Sequence, residues 1–100
     1  MWRGTTPTNV FTFPEEYRDI SFETIYVTYS QGGKTVLEKA KNEISFTDTG
    51  ISIALAQADT LCFSPGTVKI QIRAKTSSGK AVASNVISTT AQEILKDGEI

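Results

Sequence analysis

Thr67-Val68-Lys69-Ile70-Gln71-Ile72-Arg73-Ala74-Lys75-Thr76 alternates apolar and polar side chains without a break. Val68, Ile70, Ile72 and Ala74 fall on one side of an extended chain, and Lys69, Gln71, Arg73 and Lys75 on the other. This is the period of two that a strand with one buried face requires. The three cations in the polar row form a solvated face, too few and too balanced by acids elsewhere to be a binding patch. Ser77-Ser78-Gly79-Lys80 then makes a turn, after which Ala81 to Thr90 is predicted to return antiparallel, with Ala83 opposite Ala74 and Ile87 opposite Ile70.

Shorter stretches on either side carry the same signal. Phe22 to Ser30 holds Phe22, Ile25, Val27 and Tyr29, and Gly32-Gly33 suits a two-residue hairpin because both positions can take the positive φ of a type I′ turn. Lys34 to Ala40 is the return strand. A tight loop sets Val36 opposite Tyr29 and Glu38 opposite Val27, whereas a longer one shifts the register and turns Leu37 inward, so the register stays open. Ile44 and Phe46, the turn Thr47-Asp48-Thr49-Gly50, and then Ile51, Ile53 and Leu55 predict a third hairpin pairing Phe46 with Ile51 and Ile44 with Ile53. Ala56-Gln57-Ala58-Asp59 breaks the alternation and reads as one helical turn between sheets. Val10, Phe11 and Phe13 form a first strand that Pro14 stops, and Glu15 to Ile20 is a polar connection.

Val, Ile and Thr make up 30 of the 100 residues, a β-branched content that favours pleated surfaces over helices. A chain of this length supports one core. The expected fold is therefore all-β, an antiparallel immunoglobulin-like sandwich of about seven strands with one short helical turn, in a single domain over residues 1–100. Residues 1–8 read as an amino-terminal arm. The carboxyl-terminal tail, 91–100, loses the alternation but keeps Ile94, Leu95 and Ile100. It fits a helical turn, a frayed end, or a segment ordered by a partner.

Composition removes several function classes. There is no histidine, which takes away the commonest general base and transition-metal ligand, and the single Cys62 can form neither an internal disulfide nor a multi-thiolate metal site. Beside Leu61 and Phe63, Cys62 is expected to be buried and inert. The net charge of −1 disfavours a nucleic-acid partner, and no run approaches the roughly 18 apolar residues of a membrane span. The amino-terminal residues carry no apolar core of signal-peptide length, so folding in a cytoplasm is expected.

The polar constellations have plain readings. Glu15, Glu16 and Asp19 lie in a solvated loop, Asp48 belongs to a turn, and Gly32-Gly33-Lys34 joins strand to strand, unlike a phosphate-binding loop. No catalytic, cofactor-binding or metal-binding residue is assigned, and no enzyme is expected. Tyr26 falls on the face opposite Ile25 and Val27, either exposed or in a cross-strand pair. Trp2 has little chain around it, and its apolar area is recovered against either a core edge or a neighbouring subunit.

Arg3-Gly4-Thr5-Thr6-Pro7-Thr8 followed by Phe11 and Phe13, the strand end Tyr29-Ser30-Gln31-Gly32-Gly33, the return Val36-Leu37-Glu38-Lys39 and the segment Leu55-Ala56-Gln57-Ala58-Asp59-Thr60-Leu61-Cys62-Phe63 occur in one order. Together they resemble a family of small proteins, about 100 residues long, encoded among the tail genes of phages and prophages of Gram-positive gut bacteria. The chain is also similar to the amino-terminal β-sandwich module of siphophage baseplate upper proteins. The resemblance implies a virion part of the tail or baseplate, assembled in the host cytoplasm. It would bind other tail proteins and copies of itself, and would need no cofactor, nucleic acid or membrane. On that view Trp2, Arg3, Thr5, Thr6, Ile94, Leu95 and Ile100 in the two arms are the partner-binding residues. The competing expectation is a carbohydrate- or cell-surface-binding module, since sandwiches host both roles.

Overall fold

The computed structural model describes residues 1–100. Eight strands form in chain order: β1 (Thr8–Thr12), β2 (Phe22–Gln31), β3 (Lys34–Ala40), β4 (Ser45–Phe46), β5 (Gly50–Ala54), β6 (Gly66–Thr76), β7 (Ala81–Ala83) and β8 (Ile87–Ala91). One short helix, α1 (Gln57–Leu61), lies between β5 and β6. One sheet has the order β1-β5-β4; the other runs β3-β2-β6, with β7 and β8 both paired to the outer edge of β6. All these pairings are antiparallel. Chain crossings between the sheets occur at a 3₁₀ turn, Glu15–Tyr17, at a second one, Lys41–Glu43, and at α1.

This is an immunoglobulin-like plan. The two sheets correspond to strands B-E-D and C′-C-F-G, with no strand on the outer side of β1, where strand A pairs in immunoglobulin domains. The predicted central strand is β6, whose apolar row is buried and whose Lys69, Gln71, Arg73 and Lys75 face solvent. Its row joins Phe22, Ile25, Val27 and Tyr29 of β2 and Ile51 and Ile53 of β5 in one core between the sheets.

Three β-bulges in the larger sheet explain where pattern and register part. In β2 the register against β6 shifts between Phe22 and Thr24, which lets Phe22 and Ile25 share the buried face despite their odd spacing. At the Gly32-Gly33 hairpin both alternatives meet. The loop is the tight one, with φ of 57° and 78° and Gln31 paired to Lys34. A bulge then passes over Val36, so that Leu37 faces Tyr29 and Glu38 faces Thr28.

The third bulge divides the predicted strand Ala81–Thr90 into β7 and β8. Ile87 pairs with Ile70 as expected, but Ala74 pairs with Val82, one residue from the predicted Ala83. The reason lies in Ser84. Its N–H donates to the Ile72 carbonyl (2.8 Å), and its Oγ accepts from the Ile72 N–H (2.9 Å), doing locally what a partner-strand carbonyl does elsewhere.

In the smaller sheet Phe46 pairs with Ile51 as read. Ile44 is buried, but Phe46 ends the two-residue strand half-exposed, its ring stacked on Phe22 at 6.3 Å.

Candidate interaction surface

α1 gathers both ends of the chain. Its start is held by the Asp59 carboxylate, which accepts from the Ala56 N–H at 2.8 Å, the half of a capping box that reaches back to the N-cap. Helical spacing then buries Thr60 and Phe63 together and turns Cys62 outward. Cys62 is therefore exposed, contrary to the buried position read from its apolar neighbours. The Thr60 hydroxyl donates to the Thr5 carbonyl (2.8 Å), tying the arm to the corner.

The first residues lie along the end of β8. The Met1 ammonium donates to the Thr90 carbonyl (2.8 Å), the Gln92 N–H to Met1 O (2.8 Å) and the Arg3 N–H to Gln92 O (3.2 Å), with Trp2 and Gln92 forming a parallel bridge. Arg3 turns inward: Nε donates to the Phe63 carbonyl and Nη2 to that of Leu61 (3.4 Å), with exposed Asp97 at 3.9 Å. Thr5 Oγ1 donates to Trp2 O at 2.7 Å, and Thr6 is exposed. A Cβ on Gly4 would meet the Ile94 side chain at 2.9 Å and Leu61 at 3.4 Å, so half-buried Ile94 packs beside the arm. The last residue is clamped by Gln57: the Ile100 N–H donates to Oε1 (2.9 Å) and Nε2 to Ile100 O (3.2 Å).

Of the seven residues singled out from the sequence, Arg3 and Ile94 thus serve the chain's own packing. Trp2, Leu95 and Ile100 present apolar side chains to solvent, Trp2 at 54% exposure, and the tail forms no helical turn.

The sequence reading missed a polar group beneath this corner. Lys39 stands opposite Val27, on the inner side of edge strand β3. Its Nζ lies 3.2 Å from Asp59 and 3.4 Å from Glu43, linking β3 to α1 and to the second 3₁₀ turn. Nearby, Asn9 Nδ2 donates to the Tyr29 hydroxyl at 2.7 Å, joining the two sheets. A charge at an inward position of a strand is the one signal that could have marked Lys39.

Burial pushes the Tyr29 phenol above its ordinary value, although the Asn9 hydrogen bond and the Lys39 charge pull the other way. Burial pulls Lys39 down, but Asp59 and then Glu43 outweigh it and its pKa ends raised. Both folded-state values exceed the unfolded ones, so the fold binds the extra protons. Their contribution is fully present below about pH 10 and is lost as pH rises through the raised values. Urea midpoints measured from neutral to strongly alkaline pH should therefore fall at the alkaline end. Tyr29→Phe should flatten that fall while costing about 1 kcal/mol at neutral pH through the orphaned Asn9 amide. An alkaline fall as steep in the variant as in the parent would contradict this assignment.

Elsewhere, a cavity of about 550 Å³ opens between β1 and β7, lined by Phe11, Phe13, Pro14, Val82 and Ile87 among others, with no charged residue on its wall. A shallower groove of about 510 Å³ brings Tyr26 and Phe46 together with Glu23, Lys41 and Asn42. No group of three or more His, Cys, Asp or Glu side chains is placed to hold a metal ion. No helix is long and apolar enough to cross a membrane. No known family, curated protein or solved structure matches the chain.

Proposed function

We propose that this chain is a non-enzymatic component of a phage or prophage virion, a tail or baseplate part acting through protein-protein contacts. Its partners are other tail or baseplate proteins and copies of itself. The reading rests on the ordered resemblance along most of the chain. The observation that carries it is the apolar display of Trp2 and Ile100 on backbone tied down by Thr90, Gln92 and Gln57, with Leu95 fully exposed in the tail between Gln92 and Ile100. Exposed aromatic and aliphatic side chains on ordered backbone dock at little further entropic cost, and tryptophan is among the residues enriched at interface hot spots. The test is immunogold labelling and mass spectrometry of particles released after prophage induction. Label on the tail or its tip is the expected result; a chain left wholly in the supernatant after particles are pelleted rejects the reading.

One observation favours a second reading. The Tyr26–Phe46 groove offers two partly exposed rings beside the planar polar groups of Glu23 and Asn42, the combination that saccharide rings stack on and hydrogen-bond to. Saturable sugar binding lost in Tyr26→Ala would move a cell-surface glycan role to first place.

A further inference from the structure

We infer that β1 is where two copies of this chain join, strand against strand and antiparallel about a two-fold axis at Val10. The inference stands apart from the virion reading and uses only the edge chemistry of the sandwich.

Hydrogen bonding shows which way each residue of β1 points its backbone. The Leu55 N–H donates to Pro7 O and the Phe13 N–H to Thr49 O, in the register that sets Thr8 opposite Ala54 and Thr12 opposite Gly50. The odd-numbered residues therefore spend their N–H and C=O groups on β5. Thr8, Val10 and Thr12 turn theirs to the other side, where no strand lies.

Every other edge is shortened, interrupted or partly covered. β3 carries a bulge at Val36, the charges of Lys34 and Glu38, and the inward ammonium of Lys39. β4 has two residues, β7 has three and ends at the Ser84 bulge, and residues 1–3 cover the end of β8. Bulges, charges and covers are the devices by which sheets refuse another strand. β1 has none of them over its five residues, and Val10 is 66% exposed.

The occupant follows from symmetry and charge. The outward side chains read Thr, Val, Thr in either direction. Antiparallel pairing centred on Val10 therefore sets Thr8 against Thr12 of the partner subunit and Val10 against Val10 of the partner subunit. No charge meets a like charge, and β-branched cross-strand pairs are favourable. Each of the three facing pairs can exchange two N–H···O bonds. The partner strand also narrows the mouth of the uncharged cavity between β1 and β7. A five-residue strand pair alone buries less than the roughly 1,000 Å² a stable interface clears, so the dimer is weak and reversible.

Sedimentation velocity with reductant present, which keeps exposed Cys62 from cross-linking copies, should show the mass doubling between micromolar and millimolar protein. Amide exchange on the unmodified chain should show Thr8, Val10 and Thr12 gaining about tenfold protection over the same range. Val10→Lys sets two cations across the axis and should hold the protein monomeric, with an unchanged circular dichroism spectrum. A monomer at millimolar concentration, a dimer that survives Val10→Lys, or protection appearing on another strand would each overturn the inference and leave this edge free or to a different chain.

Discussion

Gly50→Ala should unfold much of the chain or cost about 3 kcal/mol or more, read as a shift in the urea midpoint. A Cβ at this position would run into the carbonyl oxygen of Phe11 and stand 3.1 Å from the Cα of Thr12. Both obstacles are backbone, so no side chain can swing aside; relief comes only by pulling β1 off β5. Gly33→Ala provides the control. Its φ is +78° but nothing lies within 4 Å of an added Cβ, so it should cost only about 1 kcal/mol. Equal losses at the two sites would show that conformation, and not the close approach of β1, sets the requirement at Gly50.

Phe63→Ala should cost about 3 to 5 kcal/mol, a large part of the 5 to 15 kcal/mol a domain possesses. The side chain is 1% exposed, and its ring tilts against Tyr29 at a centroid distance of 5.8 Å. The consequence reaches beyond the core, because the Phe63 carbonyl accepts from Arg3 and so anchors the arm that carries Trp2. Phe63→Leu, which refills most of the volume, should recover more than half of the loss. A midpoint shift worth less than about 1 kcal/mol in Phe63→Ala would mean that the corner around α1 does not depend on this ring.

Much of the sandwich was legible because alternation reports burial directly. β6, the turn at Gly32-Gly33, the pairing of Phe46 with Ile51, the helical turn between sheets and the stop at Pro14 each follow from the side chains of a few consecutive residues. The two misreadings have separate causes. Placing Ala83 opposite Ala74 assumed an unbroken ladder, and nothing in Ser84-Asn85-Val86 announces that a serine hydroxyl will take over a backbone acceptor. Cys62 was assigned by its neighbours in sequence, whereas one helical turn sorts residues by three and four.

The surface was less legible than the core. Trp2 and Leu95 drew attention as apolar side chains at chain ends, and the structure does display them. Arg3 belongs with them in sequence, but its guanidinium is used up on the carbonyls of Leu61 and Phe63. Val10 read as an ordinary strand residue, and its position beside an empty place in the sheet could not be seen from residues 8 to 12.

From the order of its side chains alone, this chain determined that it would be β-rich, where it would turn, and which faces of β2, β5 and β6 would be buried, since those depend on neighbours within a few residues. Tertiary structure alone decided the three bulges, the inward Lys39, the clamping of both ends around α1 and the unpaired edge of β1. Each of these depends on which distant backbone N–H and C=O groups find partners, and that accounting closes only when the whole sandwich is assembled.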